Sequence, residues 1–146
     1  MDIFQTSGFW YFLIPVVIGI LFWYDGKSTR DEKKHMLDLF KSNKNLSLRI
    51  QKELSELIEK HNCHNSIAFP ERNLTYKVYL EMITEEHINR LSDDMYDNLK
   101  NSKLSKPSVA THINSLSTQN DNLILMEIDL KRISKTMENK GNFFVL

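Results

Sequence analysis

Met36-Leu37-Asp38-Leu39-Phe40-Lys41-Ser42-Asn43-Lys44-Asn45-Leu46-Ser47-Leu48-Arg49-Ile50-Gln51-Lys52-Glu53-Leu54-Ser55-Glu56-Leu57 is the stretch on which the fold turns. Its apolar positions, Met36, Leu39/Phe40, Leu46, Ile50, Leu54 and Leu57, recur every three or four residues, the spacing of a helix with one narrow buried seam. Asn43 falls on that seam, where a buried amide fixes register. Two readings fit this pattern. Residues 28–61 are one long polar helix of coiled-coil type, or Ser42-Asn43-Lys44-Asn45 is a turn between two helices. A continuous helix would lead directly out of the segment before it and favour a parallel homo-oligomer.

That preceding segment is apolar. From Ile3 to Tyr24 there is no charged side chain, and those 22 residues would span about 33 Å as a helix, enough to cross a hydrocarbon core. Trp10 and Tyr11 near one end and Trp23 and Tyr24 at the other match the interfacial aromatic belt, and Pro15 and Gly19 are tolerated in membrane helices. Asp2 in place of a basic n-region, and an exit through Phe22-Trp23-Tyr24-Asp25, speak against a cleaved signal peptide. Lys27, Arg30, Lys33, Lys34, Lys41 and Lys44 follow the run while no Lys or Arg precedes it, so the positive-inside rule places the C-terminal part in the cytoplasm. The expected layout is all-α, with a transmembrane anchor over 1–25, a juxtamembrane long helix or coiled coil over 26–62 and a helical cytoplasmic domain over 63–146. The expected location is a bacterial inner membrane, single-pass.

Beyond Phe69-Pro70, where proline marks a boundary, Glu71 to Met82 reads as helix, with Thr75-Tyr76-Lys77-Val78-Tyr79 able to serve as a strand instead. Thr84 is positioned to cap a further helix with an apolar face of Ile88, Leu91, Met95 and Leu99. Pro107 sits in the first turn of another, carrying Val109, Ile113 and Leu116. Ser117-Thr118-Gln119-Asn120-Asp121-Asn122 reads as a polar break before a last helix from Leu123 to about Glu138, with Ile124, Leu125, Ile128, Leu130, Ile133 and Met137, stopped by Asn139-Lys140-Gly141. The tail Gly141-Asn142-Phe143-Phe144-Val145-Leu146 is apolar enough to pack on the core or on a partner subunit.

Composition narrows the function classes. The chain has 146 residues, the size of one domain, and balances 19 Lys+Arg against 19 Asp+Glu, which argues against a duplex-DNA binder. A single cysteine excludes a disulfide-stapled scaffold and suits a reducing compartment. No Gly-rich phosphate loop, HExxH or paired catalytic signature is present, so a non-enzyme without cofactor is expected.

Four constellations could carry chemistry. His61, Cys63 and His64 have the residue types of a partial zinc site but need a distant fourth ligand, so they read first as a helix-end loop, and no metal is assigned. Lys103 and Lys106 flank the helix start at Pro107, where free amides with Ser105, Ser108, Thr111 and His112 could receive a phosphate. Lys131, Arg132 and Lys135, with Lys140, form a second basic run, of which Lys131 and Lys135 share a helix face. Arg72, Asn73 and Lys77, with Tyr76 or Tyr79 able to stack on a base, are the fourth.

The length, the membrane segment from Phe9 to Tyr24 and a compact cytoplasmic part without catalytic signature resemble the membrane-anchored cyclic-tetra-adenylate receptors encoded beside type III CRISPR systems. The resemblance implies an antiviral defence effector: an oligomeric cytoplasmic domain senses a cyclic oligoadenylate and acts on the membrane by rearrangement. Lys103, Lys106 and Lys131 are then the expected phosphate contacts. The alternative is a non-enzymatic single-pass scaffold or immunity protein that recruits a cytoplasmic partner through coiled-coil and helical contacts.

Overall fold

The computed structural model describes residues 7–69 and 73–141, including every side chain except those of 7–14, 16, 19, 21–25 and 139–141. Most of the apolar run 3–24, Arg72 and the tail 142–146 therefore lie outside the described side chains. The described chain is mostly helical: α1 (Ser7–His61), a two-stranded antiparallel β1 (Ile67–Phe69) and β2 (Leu74–Thr75), α2 (Tyr76–Arg90), α3 (Asp93–Asn101) and α4 (Lys106–Gly141). Among the described residues no helix is long and apolar enough to cross a membrane.

The stretch 28–61 is one helix. There is no turn at residues 42–45, and α1 runs unbroken for 55 residues, about 82 Å at 1.5 Å per residue. Most of its buried positions follow two seven-residue rows, Met36-Asn43-Ile50-Leu57 and Phe40-Ser47-Leu54, with Leu46 and Ile58 beside them. A matching row runs down α4, Val109-Leu116-Leu123-Leu130. The two helices run parallel: Glu32 Oε1 pairs with Lys106 Nζ (3.9 Å), Arg49 with Glu127 (3.1 Å) and Lys60 with Glu138 (3.3 Å), so partners rise together along both chains. α2 and α3 run the other way, with Gln51 facing Thr84, Ser47 facing His87, Lys44 paired to Asp93 and Phe40 against Tyr96. The seam of α1 is thus covered from within the chain, and it does not call for a second copy.

The expected break over 117–122 is also helix. Its polar residues face the polar positions of α1: Asn43 Nδ2 donates to Leu116 O (2.7 Å) and Gln119 Oε1 (3.3 Å), and Asn120 Nδ2 donates to Asn43 Oδ1 (2.7 Å). Two segments that each look like a turn satisfy one another across a helix pair. Their parallel arrangement needs a long return, which α2 and α3 supply.

Other boundaries shift for local reasons. Thr84 does not cap a helix; its hydroxyl donates to Leu80 O (2.8 Å) inside α2. The break comes at Leu91-Ser92 instead, where Ser92 Oγ accepts from Met95 N and Asp93 and Asp94 occupy the first turn of α3, a favourable place for acids. Leu91 and Leu99 are buried as expected, whereas Ile88 and Met95 are exposed. In the 71–82 segment the strand and helix readings divide the residues, since Leu74–Thr75 pair with β1 and the helix begins at Tyr76, capped by Thr75.

Candidate functional site

α1 ends in a left-handed cap. Asn62 has φ 46°, Asn62 N donates to Glu59 O (3.3 Å) and Cys63 N to Ile58 O (3.2 Å), the paired bonds of a Schellman motif. Cys63 is the apolar residue that follows such a cap, buried with its Sγ 4.0 Å from Leu57 O and Ile58 O. Burial pushes its thiol up, opposed by a backbone hydrogen bond, which disfavours the thiolate that a metal or an electrophile would need. His64 is exposed while Cys63 turns inward. Among the described residues no three His, Cys, Asp or Glu side chains gather as a metal site.

The expected phosphate ligands fall into two places. Lys106 and Lys131 are 25 positions apart on α4, about 38 Å, so one chain cannot offer both clusters to one ligand. In the first cluster Lys103 and Ser105 are exposed, Ser108 is half-buried, Lys106 pairs with Glu32, and Thr111 Oγ1 donates to Pro107 O (3.0 Å). In the second, Lys131 pairs with Glu127 (3.0 Å) and Arg132 with Asp129 (3.5 Å), while Lys135 lines a shallow hollow with Glu53, Glu56 and Glu138. The Lys131 hydrogen bond, with Arg49 beside it, holds the Glu127 carboxyl below its ordinary range. Arginine and lysine here sit among carboxylates, a poor setting for a polyanion.

A cleft that the sequence did not signal lies between α2 and α4. Its volume is about 510 Å³; Ser47 of α1 forms part of the floor, Met82 and Glu86 line one side, and Gln119, Asn122 and Met126 line the other. It runs on into a second hollow through shared Leu74, Tyr79, Asn122 and Met126. Under it, Ser47 Oγ contacts His87 Nδ1 (3.1 Å) and accepts from Gln51 Nε2 (3.2 Å), and Thr84 Oγ1, whose proton points to Leu80 O, lies 3.3 Å from Gln51 Oε1. Burial, then the Lys44 charge, push the His87 imidazole below its ordinary range against the opposing pull of Asp93. Ser47 beside His87 is a hydroxyl–imidazole pair, but the hydroxyl is 1% exposed and already bonded on both sides, which is the geometry of a packing layer. Two methionines on a wall of amides make an adaptable surface for an organic or peptide ligand. The seven-residue spacing Val109-Leu116-Leu123-Leu130 turns Gln119, Asn122 and Met126 toward the α2 side, but the gap between the two helices leaves no mark in it.

No protein-family model, curated protein or solved structure matches the chain.

Proposed function

We propose that the chain is a membrane-anchored binding module without catalytic activity, held in a bacterial inner membrane by residues 3–24 with the helical bundle in the cytoplasm. The observation that carries this is the continuity of α1: the backbone is helical from Ser7 to His61, so the apolar run and the bundle share one rod. Val17, Ile18 and Ile20 are exposed on that rod, as lipid-facing side chains would be. A rod of this kind transmits tilt or rotation between bilayer and bundle, and the α2–α4 cleft is where a ligand or partner would bias it. Alkaline carbonate extraction and C-terminal reporter fusions test the anchor. Retention in the membrane pellet with an active cytoplasmic reporter is expected; release into the supernatant, or activity of a periplasmic reporter, would contradict it.

The antiviral sensing of a cyclic oligoadenylate is the second reading. What favours it is the amide lining of the cleft, since Asn122 has the paired donor and acceptor that matches an adenine edge. Arg90 lines that cleft and Arg132 the hollow it runs into, so one chain offers two cations there, and a cyclic tetranucleotide with four phosphates would draw the rest from further copies. Calorimetry of the detergent-solubilised full chain against cyclic tetra-adenylate decides it. Saturable binding lost in Asn122→Leu supports sensing, and no heat of binding leaves the scaffold reading.

A further inference from the structure

Three elements converge where α1 leaves the bundle. Lys33 Nζ donates to the carbonyls of Lys100 (2.7 Å) and Ser102 (2.6 Å), closing the end of α3 onto α1. From the neighbouring residue of α1, the Lys106–Glu32 pair fastens the start of α4 at the same level. These ties bring Lys100, Lys103 and Lys106 to the end of the bundle where α1 itself carries Lys27, Arg30, Lys33 and Lys34. Against these seven cations the same stretch of sequence carries three acids, Asp25, Asp31 and Glu32. Arg30, Lys34, Lys100 and Lys103 are exposed. The far end is balanced: Lys60, Lys131 and Lys135 stand among Glu53, Glu56 and Glu138, with Lys60 paired to Glu138.

Height matters as much as charge. Tyr24 closes the uncharged run, and Lys33 lies nine residues further, about 14 Å along the helix. The polar headgroup layer occupies about 5–8 Å on each side of the hydrocarbon core, and lysine reaches several ångströms beyond its backbone. The collar of cations therefore stands within a Debye length of the headgroup phosphates.

We propose that this collar seats on anionic lipid, and that the oxyanions met by Lys100, Lys103 and Lys106 are headgroup phosphates. The proposal rests on residues 3–24 entering the bilayer. Seating fixes the bundle upright on its rod and points the α2–α4 cleft sideways, open to a partner moving along the membrane. The basic cluster that the sequence offers as a nucleotide site is then a lipid-facing surface, and Lys131, Arg132 and Lys135 at the other end take no part.

The test uses the full chain reconstituted in vesicles of phosphatidylcholine alone or mixed with phosphatidylglycerol. Lysines are acetylated with a water-soluble ester, and each site is read by mass spectrometry. Flotation with the neutral vesicles reports anchoring independently. In the anionic vesicles, acetylation of Lys100 and Lys103 should fall at least about threefold relative to Lys131 and Lys135, and high salt should restore it. Unchanged ratios in a chain that floats would overturn the collar and leave the anchor standing. Equal protection by inorganic phosphate added to neutral vesicles at matched ionic strength would also overturn it, in favour of a free-phosphate site. A chain that does not float with neutral vesicles would remove the anchor and the collar together.

Discussion

Asn43 is fully buried and uses both ends of its amide, donating to Leu116 O and Gln119 and accepting from Asn120. Replacement by alanine strands the Asn120 amide in the interface, and Asn43→Ala should lower the unfolding free energy by about 1–3 kcal/mol in urea titrations. Because Asn43 and Asn120 share a bond, Asn43→Ala with Asn120→Ala should cost less than the two singly. Additive losses would show that the pair does not interact. The sequence made the seam position of Asn43 legible but not its partners, since an amide on a seam looks alike whether it meets a second copy or a distant part of its own chain. His87 sets a pH dependence. Its imidazole is held below its ordinary range, chiefly by burial and next by Lys44, so below about pH 6.5 the unfolded chain takes up the proton that the folded one refuses. Stability from this group is complete above that range and is lost as pH falls toward the folded value. Denaturation midpoints should drop on mild acidification in the native chain and drop less in His87→Gln; parallel curves would contradict the assignment.

The helices show where local pattern misleads. Ser42-Asn43-Lys44-Asn45 and Ser117-Thr118-Gln119-Asn120-Asp121-Asn122 have turn-forming composition, and each is helical because residues of the other stretch meet its polar groups. Propensity was overridden by a tertiary contact between stretches some 75 residues apart in sequence. The start at Pro107 was legible because it depends on local chemistry alone, whereas Asn139-Lys140-Gly141, expected to stop the helix, still belong to α4. The face of α4 was legible only in part. Leu130 is buried as expected, yet Ile124, Leu125 and Ile128 are exposed and the core residue is Leu123. In apolar 123–125 a choice of face needs the heptad row that continues through Leu116 and Val109, and the supposed break cut that row. Leu123→Ala should therefore cost about 2–5 kcal/mol, while Leu125→Ala should change stability by about 0.5 kcal/mol or less, both read from chemical denaturation of the full chain. The reverse order would place the other face inward.

For the whole molecule, the parallel pairing of α1 with α4 begins at Glu32 and Lys106, so residues 7–31 of α1 extend beyond the bundle by about 37 Å, close to the thickness of a bilayer. The architecture is a rod with a bundle on its C-terminal half, and the α2–α4 cleft exists because those two helices are each held by α1 and open between themselves. That cleft was not legible in sequence, since it depends on how far apart two helices stand and not on which residues they carry. Membrane anchoring, lipid seating and any signal from the cleft all require the rod to be continuous. The most direct measurement is a pulsed electron–electron distance between spin labels at Ile20→Cys and Glu59→Cys, in the full chain with Cys63→Ala, reconstituted in vesicles. An unbroken α1 predicts one narrow distance of about 58 Å. A turn at residues 42–45 would shorten it by more than about 10 Å, and that result would contradict the account.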